Sequence, residues 1–149
     1  MALNISDPEL NQVYEDVRDD KTETNWSFFT FADGKPDRLI VAGFGSGGLE
    51  EFTKELKPEI AGWGYLRINL SNDEYSQRIK FVLVPWCGES VSVMRKAKLG
   101  IQMSDVKNII RNFHIEVPAS HVHDLDEKEV LTRLRRAGGA NYDRQSSNY

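Results

Sequence analysis

The stretch Lys80-Phe81-Val82-Leu83-Val84-Pro85-Trp86 decides the fold. Its apolar core, from Phe81 to Val84, is continuous and does not alternate with polar residues. A run of this kind predicts a central strand that is covered on both faces of a sheet. Around it, aromatic and β-branched residues between turn signals predict further strands. We expect these at residues 25–32, 38–42, 62–70 and 114–117.

Helices are predicted between these strands from apolar residues that recur every three or four positions. Asp7 and Pro8 are a cap and a first helical residue, so a helix begins there and ends near residue 20. Further helices are expected at 49–57, 91–99, 104–113 and 124–137, with Gly100 separating the two in the middle. This order predicts an α/β (α+β) fold, a central mixed sheet of five to six strands with helices on both faces.

Composition indicates one soluble globular domain. Of the 149 residues, 40% are hydrophobic and 28% are charged, and no apolar run approaches the roughly 20 residues of a spanning helix. We expect a single domain at 1–137 and a mobile polar tail at 138–149, because two glycines follow the last helix. The one cysteine, Cys87, indicates a reducing compartment, and no secretory signal is visible at the start.

The charge of the chain is unevenly distributed. The net charge is −4, which disfavours a nucleic-acid binder. Residues 78–111 contain seven basic and two acidic residues, a balance of +5, whereas the remainder has 12 basic and 21 acidic residues, a balance of −9. A basic segment in an acidic protein can attract an acidic partner. The alternative is an ordinary solvated helix face.

Three patterns could indicate chemistry at a site, and each has a simpler explanation. The glycines at 43–48 match a dinucleotide-binding motif, but the preceding strand belongs to a hairpin, so we expect a flexible loop. His121 and His123 are too few for a zinc site, and Asp124 beside them suits a helix cap. Cys87 has no catalytic signature around it. We therefore expect no catalytic residue, no metal and no cofactor.

The basic segment is the strongest candidate for a binding surface. Arg78 and Lys80 are two apart at the start of a strand and point to one side. In the next helix, Met94 and Lys98 are four apart and Arg95 and Lys98 three apart, so they share a surface. A short cationic helix with an adaptable methionine suits a groove with acidic edges on a protein partner.

Two strings in the sequence are specific. They are Trp86-x-Gly88-Glu89-x-Val91-Ser92 and, from residue 137, Ala-Gly-Gly-Ala-Asn-Tyr-Asp. Together with Tyr14-x-x-Val17-Arg18-Asp19-Asp20, they make the chain resemble the coactosins, single-domain members of the ADF-homology (ADF/cofilin) superfamily. The resemblance covers nearly the whole chain and implies the ADF-homology fold, which agrees with the order of elements predicted above.

The resemblance also implies a function. Members of this group are cytoplasmic and cytoskeletal proteins without enzymatic activity that bind mainly actin filaments, sever little and interfere with capping. Lys96 and Lys80 match basic positions linked to actin binding, which gives a candidate surface of Arg78, Lys80, Met94, Arg95, Lys96 and Lys98. The helix break expected at Gly100 disfavours cofilin-like depolymerisation, leaving at most weak binding of monomeric actin.

We expect a monomer. Acidic phosphoinositides are a further possible partner, since many members of the superfamily bind them. Two alternatives stay open on the sequence: a nucleotide-binding enzyme that uses the loop Gly43–Gly48, and a phosphoinositide-responsive adaptor that uses the basic segment.

Overall fold

The computed structural model describes residues 3–70 and 78–147. Residues 71–77, a polar segment that the sequence predicts to be a loop between two strands, lie outside the described residues. The described part contains a short 3₁₀ helix, Val122–Leu125, besides these helices and strands: α1 Pro8–Arg18, β1 Trp26–Ala32, β2 Lys35–Gly45, α2 Gly48–Thr53, β3 Ala61–Asn69, β4 Ile79–Cys87, α3 Val93–Val106, β5 Ile115–Glu116 and α4 Glu127–Ser147.

The strands form one five-stranded mixed sheet in the order β2-β1-β3-β4-β5. The first four pair antiparallel, and β5 pairs parallel with β4. This confirms the predicted fold class, a mixed sheet with helices on both faces. The predicted strands are all present, with ends shifted by a few residues.

Helices pack on both faces of the sheet and divide the core in two. On one face, α1 and the end of α3 pack against Phe81 and Leu83 of β4. On the other face, α2 and α4 pack against Val82 and Val84. Because successive residues of a strand point to opposite faces, the continuous apolar run supplies both cores at once. The prediction of a strand covered on both faces is confirmed.

The first helix begins and ends as local chemistry requires. At its start, the Asp7 carboxylate accepts a hydrogen bond from the Glu9 backbone N–H at 3.0 Å, and Pro8 is the first helical residue. At its end, the Arg67 guanidinium donates to the carbonyl oxygens of Val17 at 2.8 Å and Thr22 at 2.7 Å. A cation at a helix C-terminus satisfies carbonyls that have no partner within the helix.

The helix break expected at Gly100 is wrong. Helix α3 runs without interruption from Val93 to Val106 and includes both Gly100 and Ser104, the residue at which we expected a second helix to begin. A glycine inside a helix costs only about 1 kcal/mol relative to alanine. Packing of Leu99, Met103 and Val106 against the sheet offsets that cost.

The C-terminal region also differs from the expected boundaries. Asp124 lies in the 3₁₀ helix and caps its start, so the last α-helix begins later, after Asp126, whose carboxylate accepts from the Glu129 N–H at 3.3 Å. The backbone of α4 continues past Ala137 to Ser147. Residues 148 and 149 lie outside the described part of the chain, and mobility of the tail stays a prediction.

Candidate functional site

Helix α3 has a second apolar face that turns away from the core. Ser92 caps the helix by accepting from the Arg95 backbone N–H at 3.2 Å. Four residues then lie on the outer face: Val93, Met94, Ala97 and Ile101, here called the α3 stripe. The exposed fractions are 81% for Val93, 76% for Met94 and 65% for Ile101. Since most large apolar residues of the chain are buried, such a cluster indicates a contact surface.

Two lysines flank the α3 stripe. Lys96 is exposed on one edge, one turn from Gly100, and Lys98 is half-buried on the other edge, one turn from Met94. Neither lysine has an ion-pair partner among the described residues. Their ammonium groups are therefore free to meet acidic groups of a partner at the rim of an apolar contact.

Arg95 points towards the sheet instead. Its guanidinium lies over the Phe31 ring, 4.1 Å from the ring centroid, and the residue is half-buried. A cation stacked on an aromatic face stabilises the packing of a helix on a sheet. The structure therefore separates Arg95 from the face that holds Met94, although the sequence grouped them.

Arg78 and Lys80 lie elsewhere, at the beginning of β4. Lys80 is paired with Ile68, which packs with the α2 and α4 core, so Lys80 points to the face opposite α3. Lys80 lies seven positions along β4 from Cys87, the end of the strand near which α3 begins. At about 3.3 Å per residue, these two positions are about 23 Å apart. Arg78 is exposed just before the strand. The six predicted residues thus do not form one surface. Met94, Lys96 and Lys98 lie on or beside the outer face of α3, Arg95 points towards the sheet, and Lys80 lies on the opposite side of the sheet.

The charge of Lys80 affects the pKa of a neighbouring histidine, His114. Burial first, and the nearby Lys80 charge second, lower the pKa of His114. The His114 ring accepts a hydrogen bond from the Phe81 backbone N–H at 2.9 Å through Nδ1 and is therefore neutral. His114 thus adds no charge beside Lys80, which has no ion pair among the described residues.

Two other basic residues of the segment are used internally. Lys107 pairs with Glu116 at 3.3 Å, and Arg111 pairs with Glu15 at 3.9 Å while lying over the Tyr14 ring. Exposed pairs of this kind contribute little to stability, but they neutralise the charge locally. The positive charge available to a partner is therefore smaller than the sequence balance of +5 suggests.

The glycine-rich stretch is not a phosphate-binding loop. Gly43 and Gly45 belong to β2, which is longer than expected. The Glu51 carboxylate accepts from the Trp26 indole N–H at 2.7 Å and from the Gly47 backbone N–H at 3.1 Å. A Cβ on Gly45 would clash with that carboxylate, which explains the need for glycine. The Gly47 backbone N–H, which a bound phosphate would need as a donor, is already bonded to the Glu51 carboxylate.

The side chains considered for metal or nucleophilic chemistry are also accounted for. The His121 and His123 rings stack with centroids 5.1 Å apart, and His121 Nδ1 lies 3.5 Å from a Glu89 oxygen. Within residues 3–70 and 78–147, no cluster of three or more potential ligands could hold a metal ion. Burial raises the pKa of the half-buried Cys87 thiol, with Lys96 opposing that rise. Along the same residues, every helix is too short or too polar to span a bilayer.

Sequence reasoning missed three residues of the α3 stripe, Val93, Ala97 and Ile101. The sequence contains a signal for this face, because Val93, Ala97 and Ile101 recur every four residues and therefore lie on one side of a helix. Leu99 and Met103 lie on a different side of the same helix. The break assumed at Gly100 placed Ile101 outside the helix, so the second apolar face was not visible.

Both the sequence and the fold of this chain are similar to those of known actin-binding proteins. Residues 2–135 match the family model of cofilin/tropomyosin-type actin-binding proteins. Coactosin of Dictyostelium discoideum is 37% identical over 140 residues, which cover 93% of this chain and 94% of that protein. The crystal structure of coactosin from Entamoeba histolytica superposes with a TM-score of 0.81 at 34% identity, covering 92% of this chain and 97% of that one.

The solution structure of mouse coactosin, an actin filament binding protein, gives a TM-score of 0.74 at 32% identity and covers 98% of this chain and 99% of that one. The five-stranded mixed sheet with helices on both faces agrees with the fold of these coactosin structures, and the family match defines the class as actin-binding proteins. The chain belongs to the family of cofilin/tropomyosin-type actin-binding proteins, and its similarity to the coactosins extends over nearly its whole length.

Proposed function

We propose that this chain binds the sides of actin filaments as a monomeric, non-enzymatic protein of the cytoplasmic cytoskeleton. The observation that carries the proposal is the α3 stripe, an apolar face left exposed in a protein whose family binds actin. The similarity to mouse coactosin, an actin filament binding protein, supports the choice of the filament over the monomer.

The two separate surfaces support the same choice. The α3 stripe and the Lys80 end of β4 lie on opposite sides of the sheet. A filament presents neighbouring subunits at fixed spacing, so two surfaces of one protein can each contact a different subunit. Two weak contacts made together bind far more tightly than either alone, whereas a single monomer offers only one of them.

Co-sedimentation with polymerised actin is the direct test. At about 50 μM filament subunits, a complex with a Kd near 1 μM is almost fully pelleted. Retention of the protein in the supernatant under these conditions would contradict filament binding. Pre-incubation with latrunculin-blocked monomeric actin should leave most of the pelleting intact, since the monomer engages only one surface.

We further propose little severing and interference with capping. The expectation of weak depolymerisation no longer has support from a broken helix, because α3 is continuous. Filament lengths imaged with and without capping protein test both properties. Shortened filaments without capping protein would contradict the first, and unchanged capping would contradict the second.

A phosphoinositide-responsive adaptor is the second candidate. It is favoured by Lys96 and Lys98 of α3, which have no ion pair among the described residues. Pelleting with phosphatidylcholine vesicles, with and without phosphatidylinositol 4,5-bisphosphate, separates this candidate from the first. Binding to the acidic vesicles with no binding to filaments would favour it.

A further inference from the structure

A cleft of about 590 Å³ opens beside α3, apart from the α3 stripe. It lies between α3 and the residues from Glu116 of β5 to Asp124, beside the beginning of β3 and the end of β4. The lining from α3 and β4 is mostly apolar and includes Leu99, Gly100, Met103, Pro85 and Cys87. Clefts of 300–1,000 Å³ with apolar walls and a few polar groups are the usual form of small-molecule sites.

The charged side chains that line the cleft differ in whether they already have a hydrogen-bond or ion-pair partner. The Glu116 carboxylate already pairs with Lys107 at 3.3 Å. The Asp124 carboxylate accepts from the backbone N–H groups of Ser120 at 3.0 Å and His121 at 3.1 Å. Lys96, also at the cleft, has no ion-pair partner for its ammonium among the described residues. The cleft therefore offers a free cation beside apolar walls, and its anions already have donors.

We propose that this cleft binds a small organic molecule with an apolar, ring-sized body and a single anionic group. The body lies against Leu99, Met103 and Pro85, and the anion pairs with Lys96. Burial of the body supplies most of the binding free energy, because apolar area removed from water is favourable in proportion to its extent. The ion pair fixes orientation and excludes cationic analogues, whose charge Lys96 repels.

A matched pair of probes tests the chemistry. 8-Anilinonaphthalene-1-sulfonate has the apolar body and the anion, and N-phenyl-1-naphthylamine has the same body without the sulfonate. Titration of the ¹⁵N-labelled full chain should give saturable shifts at the cleft residues, with the sulfonate bound about tenfold more tightly than the neutral compound. Equal affinities, or shifts spread over the α3 stripe and not the cleft, would overturn the proposal.

The single cysteine provides an independent reporter. Cys87 lies in the cleft lining and is half-buried, so a bound probe should slow its alkylation by iodoacetamide. The rate is measured by intact mass with increasing probe concentration. A rate that does not change when the probe is saturating would place the probe outside the cleft and overturn the proposal.

Two substitutions at one position locate the site without unfolding the chain. A Cβ on Gly100 meets no atom within 4 Å, and either alanine or methionine improves helix propensity there. Gly100→Met fills the cleft entrance and should weaken sulfonate binding by about tenfold or more, whereas Gly100→Ala, the control, leaves it nearly unchanged. Lys96→Met should abolish the preference for the sulfonate. Undiminished binding in Gly100→Met, or a retained preference in Lys96→Met, would refute the site.

Discussion

Removal of the Ile101 side chain is the sharpest test of the α3 stripe. Ile101→Ala deletes three carbons from a side chain that is 65% exposed in the free protein. At about 0.8 kcal/mol for each buried carbon, scaled by that exposed fraction, a filament contact that covers the stripe would lose about 1.6 kcal/mol. This corresponds to a Kd about fifteen times higher.

Stability should not fall in the same variant. Ile101 lies outside both core clusters, and alanine has a higher helix propensity than isoleucine. Urea unfolding should therefore show equal or slightly higher stability, so a binding defect cannot be attributed to unfolding. Because the lost contact is apolar, the fold-change in Kd should be similar at low and high salt.

Val122→Ala is the matched control. Val122 is also apolar and 47% exposed, but it lies in the 3₁₀ helix, away from the stripe. Co-sedimentation over a range of filament concentrations should show weakened binding for Ile101→Ala and unchanged binding for Val122→Ala. Wild-type binding by Ile101→Ala would refute the assignment of the stripe, and an equal loss in both variants would refute its location.

Charge and the chain end lead to four more expected outcomes. Lys80→Glu should weaken filament pelleting while its unfolding midpoint stays near that of wild type. Lys21→Glu, an exposed charge reversal elsewhere, is the control. Wild-type affinity in the folded Lys80→Glu variant would remove Lys80 from the site. Affinity should fall as salt rises from about 0.05 to 0.2 M, because screening shortens over that range; a flat response would refute the electrostatic part of the site. The amides of Arg144–Tyr149 should exchange rapidly with solvent in NMR experiments, and strongly protected amides there would contradict a mobile tail. Hydrogen bonds from Trp26 and Gly47 lower the pKa of Glu51 below its usual range. This carboxylate therefore stabilises the fold at neutral pH, and the contribution is lost as pH falls through the lowered pKa. In urea unfolding, Glu51→Gln should be destabilising at neutral pH but not in strong acid, and an equal difference in stability under both conditions would contradict this.

The sheet could be predicted because its signals are local. The short continuous run Phe81–Val84 favours a strand with two covered faces, and the aromatic and β-branched residues between turn signals favour β1 and β3. The extension of β2 through Gly43 and Gly45 could not be predicted, because glycine is typical of loops. Those glycines lie in the strand because they pair with β1, Gly43 with Phe28 and Gly45 with Trp26. The Glu51 carboxylate, which comes from a helix later in the chain, leaves no room for a Cβ at Gly45.

The candidate site was predicted in part for the same kind of reason. Lys96, Lys98 and Met94 were identified from helical spacing and from the family resemblance, and they do border one exposed face. The inward position of Arg95 depends on Phe31, a partner 64 residues away in the sequence, and no local pattern encodes that contact. Likewise, Lys80 and α3 are close in sequence, and the register that pairs Lys80 with Ile68 points Lys80 to the face opposite α3.

We propose that the charges beside the α3 stripe select its partner. An exposed apolar face alone would also allow two copies of this chain to pair through their α3 helices. Such pairing would bring Lys96 and Lys98 of one copy close to the same lysines of the other, and like charges placed together at an interface cost several kcal/mol. A partner with carboxylates around an apolar groove meets the same lysines favourably. On this proposal the stripe supplies the contact area and the lysines restrict it to acidic surfaces, a combination that would keep the protein monomeric until it meets its partner.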